Sequence, residues 1–306
     1  MRVVVLGAAA GGAFPQWNSN AHPCRRARAG DPAVVPSTQA SIAVSADGRH
    51  WVVLNASPDI RQQIEQTLAL QPHEGLRSSP IAAVVLTGGD VDAIAGLLTL
   101  RERQPFSVLA TSRVHQVLDD NPIFEVLARG IVARQHVALD APTPVTLPDG
   151  NASGLTITLF AVPGKVPLYL EQPGAAPALE ETDQTVGAAV SDGQTTLFYV
   201  PSCAAMVPGL SERLRGAAAV FFDGTLWTDD EMIRAGLGPK TGQRMGHMSV
   251  SGPGGTLQAF AGLDVRRRIL LHINNSNPIL LADSPERAQA AAAGWDVAYD
   301  GMELTL

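Results

Sequence analysis

Cysteine is scarce in this chain of 306 residues, which holds only Cys24 and Cys203. Two thiols cannot build the disulfide framework of a small secreted domain, and a zinc site of four thiolates within one chain is excluded as well. No uninterrupted apolar run reaches the ~18 residues that a membrane-spanning helix needs. Positive charge is in the minority, with 22 Lys and Arg against 29 Asp and Glu, a formal net charge of −7. That balance argues against a general binder of nucleic acid or of an anionic membrane, which needs a cationic face to displace counterions from phosphates. Charged residues make up 17% of the chain, whereas hydrophobic residues reach 45% and the mean hydropathy is +0.09. Such a chain buries a core rather than staying disordered. The length admits one large layered domain or two smaller ones. Without a clear linker or internal repeat, a single domain over 1–306 is expected.

The apolar opening at 3–10 is too short for a secretory leader. It reads instead as a first buried strand, Val3-Val-Val-Leu6, running into Gly7-Ala-Ala-Ala-Gly-Gly12, and the protein is expected in the cytoplasm. Segments 37–45 and 51–55 form a strand pair around Ala46-Asp47-Gly48-Arg49, because Asp-Gly suits the backbone angles of a hairpin turn. Ser57-Pro58-Asp59 opens an amphipathic helix with Ile60, Ile64 and Leu68 spaced by four, and Ser57 as its N-cap. The run 81–86 is a strand that ends in Thr87-Gly-Gly-Asp-Val-Asp92, and 94–100 returns to helical character. Layered α/β proteins place their chemistry on such a strand, loop and helix unit.

Further strands are expected at 107–110, 155–162, 186–191, 196–200, 219–222, 269–273 and 296–299. Helices are expected at 112–118, 123–128, 209–216, 229–235, 254–261 and 284–292. Segments 141–148 and 172–177 have loop compositions. Strands in two groups with helices interspersed predict an αββα sandwich of the α/β class, two mixed sheets covered by helices. Periodicity alone leaves a doubly wound sheet open.

Asp90 and Asp92 follow a buried strand at a spacing of two, so in extended backbone both carboxylates face one way and could converge on one metal ion or proton. The competing reading is an acidic turn in which Asp92 caps a helix beginning at Ile94. Asp223 ends Val220-Phe-Phe, His272 follows Ile269-Leu-Leu271, and His247 lies in a glycine-rich connection. Together these groups have the mixed imidazole and carboxylate character of a borderline divalent metal site, iron or zinc, with positions left for water or substrate. His50, His73, His115 and His136 are given no role. Cys203 could be a nucleophile, but a buried inert thiol is the simpler reading. Arg25, Arg26 and Arg28 read as a solvated surface.

Several collinear blocks carry a resemblance. They are Leu6-Gly-Ala-Ala-Ala-Gly-Gly-Ala-Phe-Pro-Gln-Trp-Asn18, Leu54-Asn-Ala-Ser-Pro-Asp-Ile-Arg61, Asp223-Gly-Thr-Leu-Trp-Thr-Asp-Asp-Glu-Met232, Met245-Gly-His247, Ser251-Gly-Pro-Gly-Gly255 and His272-Ile-Asn-Asn-Ser-Asn-Pro-Ile279. Spread over almost the whole chain, they resemble the coenzyme PQQ (pyrroloquinoline quinone) biosynthesis protein B family. The resemblance implies a metallo-β-lactamase fold, in agreement with the αββα reading. In that superfamily a His-x-His-x-Asp-His loop binds metals, and Gly88, Asp90, Asp92 and Ala93 stand at those four places. The superfamily's Pro-Gly-His element appears here as Pro163-Gly164-Lys165. A Cys-x-Cys-x-x-Cys zinc cluster of the family is reduced to Ser19, Ala21 and Cys24. His22 and Cys24 offer at most two ligands, so no structural zinc is expected at Cys24.

The resemblance further implies an iron-dependent oxygenase that hydroxylates the tyrosine-derived ring of a Glu-Tyr precursor. Asp92 and His272 are then the expected core ligands of iron or zinc, with Asp90, Asp223 and His247 as further ligands or supporting groups. Lys165 and Asn274 are the expected substrate contacts. Partners would be the precursor or PQQ itself and other proteins of the pathway, and a homodimer is left open. A second reading is a carrier that takes PQQ or its precursor toward the periplasm, to which a depleted metal loop is no obstacle. Metal-dependent hydrolysis is weakened by the loss of the histidine-rich loop.

Overall fold

β-Branched runs set where the strands lie. The computed structural model describes residues 1–172 and 179–306, so most of the loop expected at 172–177 falls outside the described residues. One sheet is built from β1 (Arg2–Gly7), β2 (Ser41–Ser45), β3 (Trp51–Leu54), β4 (Ile81–Val85), β5 (Phe106–Ala110) and β6 (Val132–His136). The second holds β7 (Thr143–Thr146), β8 (Ala152–Gly164), β9 (Glu180–Ser191), β10 (Thr196–Val200), β11 (Ala219–Asp223), β12 (Arg267–Leu271) and β13 (Trp295–Val297). A last strand, β14 (Glu303–Thr305), returns to the first sheet beside β1. Each sheet changes character midway. The order β14-β1-β2-β3 is antiparallel and β3 to β6 parallel; β7 to β10 are antiparallel and β10 to β13 parallel.

Alternation along the strands divides the apolar residues between layers. Val3, Val5, Ile42, Val44 and Leu54 pack with Ile157, Leu159, Tyr199, Phe221 and Ile269 between the two sheets. Val4, Trp51, Val53 and Val84 turn the other way and pack with Ile60, Val114 and Leu118 of the covering helices. On the second sheet Val162, Val200, Phe222 and Leu270 do the same with Leu210, Phe260 and Ala290. Burial of both faces explains the continuous apolar runs. The architecture is the expected αββα sandwich. No helix among the described residues is long and apolar enough to cross a membrane.

Some local expectations change. Segment 141–148, expected as a loop, contains β7, and its Pro144 is tolerated because β7 is an edge strand with only β8 beside it. Ser57 is not the N-cap: the helix Ile60–Gln66 follows Asp59, while the Ser57 hydroxyl accepts from Asp59 N and donates to Gln63 Oε1. Leu68 falls beyond that helix and is exposed. The strand expected from residue 37 begins only at Ser41, since Ser37 and Thr38 bond the Asp300 carboxylate. The basic run lies on the helix His22–Arg28 and is structural, with Arg26 bridging Asp31 and Asp283 and Arg28 donating to the Gln16 and Ser19 carbonyls.

Candidate metal centre

The parallel strands β4, β11 and β12 run the same way in their sheets, and the loops at their C-terminal ends gather the ionisable groups. Asp223 closes β11 and is fully buried. A carboxylate in that position is tolerable because donors surround it. Its Oδ1 accepts from Thr225 N at 3.0 Å and from Thr225 Oγ1 at 2.7 Å, and its Oδ2 accepts from Cys203 N at 2.8 Å. His247 Nδ1 lies 2.7 Å from the same Oδ2. His272 sits just after β12 at φ +57°, in the left-handed region that non-glycine residues rarely adopt. Its ring stacks on that of His247, with centroids 5.2 Å apart and planes at 21°. Donor atoms of Asp223, His247 and His272 all lie within 4.8 Å of one another.

Asp92 reaches this cluster from the first sheet, with Oδ2 2.9 Å from His272 Nε2. Burial pushes the Asp92 carboxyl up, but the His272 bond and charge outweigh it and hold the group below the usual range. Burial likewise depresses His272, and Asp92 more than reverses the effect, leaving the imidazole above its ordinary value. Asp90 is raised, first by burial and then by the charge of Asp92. The loop that carries both acids is pinned by Asn55. Its Oδ1 accepts from Thr87 N at 2.9 Å, and its Nδ2 donates to Thr87 Oγ1 at 2.9 Å.

Asn55, Thr87, Asp90, Asp92, His247 and His272 line a cleft of about 220 Å³ together with Gly88, Ala93, Lys165, Leu168, Lys240 and Met245, with Asp223 buried behind the two histidines. The structure therefore brings together Asp92, Asp223, His247 and His272. Asp90 lines the cleft but lies outside the three-donor cluster, and among the described residues no hydrogen bond to its carboxylate is made. The capping alternative for Asp92 is corrected: the helix spans Val91–Ile94, so Asp92 lies within its first turn and turns to His272. Lys165 lines the cleft with Nζ 3.0 Å from Glu171 Oε1. Asn274 does not line it; its Nδ2 donates to Ser276 Oγ within its own loop. Cys203 is buried, its thiol pushed up by burial and by Asp223, and it serves through its backbone N–H. Cys24 is buried, with Sγ donating to Asn275 Oδ1 at 3.6 Å. Sequence reasoning missed Thr225, Asn55, Glu171 and Lys240. Only Thr225 and Asn55 fell inside blocks already singled out.

Residues 50–273 match the model of the β-lactamase superfamily domain. Coenzyme PQQ synthesis protein B of Gluconacetobacter diazotrophicus is 66% identical over 303 residues, covering 99% of each chain. The chain belongs to the coenzyme PQQ synthesis protein B family. The same protein of Gluconobacter oxydans is 54% identical over 304 residues, covering 99% of this chain and 98% of the other. Among solved structures, the Zn2+-bound PqqB of Methylobacterium extorquens superposes with a TM-score of 0.96 at 51% identity over the full length of both chains. In this member of the family two imidazoles and a buried carboxylate, with a second carboxylate on one ring, form a donor set suited to zinc or iron and leave coordination positions free.

Proposed function

We propose that the chain is an enzyme of PQQ biosynthesis, a metal-dependent hydroxylase acting in the cytoplasm on the tyrosine-derived ring of a Glu-Tyr precursor. The observation that carries this reading is the buried cluster of Asp223, His247 and His272 opening onto a cleft. These three residues would hold the metal, with Asp92 behind His272. Iron there supplies the one-electron and dioxygen chemistry that side chains lack.

The protein's own contribution is positioning. Asp92 Oδ2 holds the proton of His272 Nε2 and so fixes the ring and its tautomer. The Thr225 hydroxyl stands 2.9 Å from His272 Nδ1 and 2.7 Å from Asp223 Oδ1, which ties the imidazole to the carboxylate. Contacts of this kind typically change metal affinity or activity about 10–100-fold. Leu168 and Met245 offer apolar surface to a ring, and a cationic group on the cleft wall suits a carboxylate of a Glu-Tyr-derived substrate.

The test is protein prepared without oxygen, loaded with Fe2+ or Zn2+, and given the precursor, dioxygen and a reductant. The iron form is expected to add an oxygen atom to the ring, read by mass spectrometry, and the zinc form to add none. One observation favours a second reading: Gly88 and Ala93 line the cleft where the superfamily loop carries histidines. No product with either metal, together with retained PQQ binding, would make the chain a carrier.

A further inference from the structure

Two lysines line the cleft, and the structure treats them differently. An ammonium group has three donors. Lys165 donates one to the Val166 carbonyl at 3.1 Å and forms an ion pair with Glu171 Oε1 at 3.0 Å. Glu171 Oε2 in turn accepts from Arg244 Nη2 at 2.8 Å. The stem of Lys165 is packed as well, since a Cβ at Gly246 would stand 3.1 Å from its Cγ. Lys165, Glu171 and Arg244 thus fasten the segment after β8 to the helix Gly242–Met245, and the charge of Lys165 is answered within the protein.

Lys240 is half-buried in the same cleft, yet among the described residues no carboxylate lies within 4.0 Å of it and its ammonium donates no hydrogen bond. The residues outside the description, 173–178, read Pro-Gly-Ala-Ala-Pro-Ala and carry no acid that could pair with it. Its backbone is held in place. The neighbouring Gly242 N and Gln243 N donate to the Asp229 carbonyl and Oδ1, both at 2.8 Å, and the same turn goes on to deliver His247. Asp90 and Asp92 line the cleft beside His247 and His272.

We infer that Lys240 is the specificity-determining cation of the cleft: it takes a carboxylate of an aromatic polycarboxylate whose ring lies toward His247 and His272. The inference rests on the proposed function only in that the substrate is taken to be such an acid. The lysine whose charge is unanswered among the described residues holds the carboxylate, and the ring takes the rest of the cleft.

The experiment titrates the Zn2+-loaded protein with PQQ, a tricarboxylate, and with its trimethyl ester, following tryptophan quenching. Wild type is expected to prefer the acid. Lys240→Gln should weaken the acid about 10–100-fold, the worth of one charge-assisted hydrogen bond, and leave the ester unchanged. Lys240→Arg should stay within about threefold of wild type, because a guanidinium also pairs with carboxylate; this arm keeps the test decisive if the Gln variant folds poorly. Unchanged PQQ affinity in Lys240→Gln would overturn the role of Lys240 and leave the proposed function standing. A wild type that binds neither ligand, or binds both alike, would overturn the cleft as a site for such acids and Lys240 with it.

Discussion

Thr225 shows how much of the site depends on one side chain. Its hydroxyl contacts Asp223 Oδ1, His247 Nδ1 at 3.1 Å and His272 Nδ1, three groups that no other single residue joins in the same way among the described residues. Thr225→Val keeps the shape and removes the donor. It is expected to lower unfolding free energy by about 1–3 kcal/mol, because a buried carboxylate loses a bond. Zinc affinity, read by competition with a chromogenic chelator, should fall about 10–100-fold. An unchanged affinity would show that the hydroxyl only fills space. Asn55 is a second such position, at φ +62° and joined to Thr87 by three hydrogen bonds. Asn55→Ala should cost roughly 2–3 kcal/mol in urea denaturation, from lost bonds plus left-handed strain, and Asn55→Gly should be milder by about 1 kcal/mol. Asp223 and His272 stand out in the sequence because each stands where an apolar run stops, Asp92 because it follows such a run in a polar loop, and His247 only through its glycine-rich connection. Lys165 and Lys240 were not separable in that way. What distinguishes them is the Glu171 carboxylate, six residues from one and far from the other in sequence, which pairing in space alone assigns.

Elements position these residues through close backbone contact. Gly96 donates its N–H to the Ala56 carbonyl at 2.9 Å, and a Cβ there would stand 2.1 Å from the Ser57 oxygen. The turn that follows Asp92 therefore lies directly on the loop that follows β3. Gly96→Ala is expected to destabilise by about 2–4 kcal/mol, since backbone on both sides must move. A loss in zinc affinity should accompany it as the Asp92 turn shifts; stability loss without loss of affinity would uncouple the two. A different element contact is read by pH. The Arg244 and Lys165 cations hold the Glu171 carboxyl down at about 2. A folded value below the unfolded one contributes stability that is present above the unfolded value and lost as pH falls. The stability gap between wild type and Glu171→Gln should thus be full at pH 7 and narrow from about pH 4.5 toward pH 2. A gap independent of pH would mean that packing, not charge, holds the segment. Apolar content, more than length, decided which strands the sequence showed: the first half of the twelve-residue β9 and all of β6 were not expected. β4 and β11 announce themselves as apolar runs, whereas β6 carries Arg134, Gln135 and His136, β7 contains Pro144 and β14 has three residues.

At the scale of the whole molecule, the site and the core tie the two sheets into one unit. The chain ends close this unit: Leu306 N donates to the Met1 carbonyl at 2.9 Å, β14 lies beside β1, and the Met1 amino group pairs with Asp192 of the second half at 3.1 Å. Neither half can be cut from the sequence without leaving the apolar layer between the sheets bare. The layered class was legible because the runs are apolar on both faces, but the return of the last strand to the first was not, since nothing local marks its partner. Asp92 from one sheet meets His272 from the other, so the proposed metal-holding residues of the second sheet are tied to the first. A ligand that binds only the folded state adds about 2.7 kcal/mol at a hundredfold excess over its dissociation constant. Trp51 reports on the outer face of the first sheet and Trp295 on that of the second. Variants retaining only one or the other are expected to show coincident urea transitions, and chelation should lower both midpoints equally. Separate midpoints, or a chelation shift confined to Trp295, would divide the chain into two folding units and reduce the Asp92 contact to a junction between them.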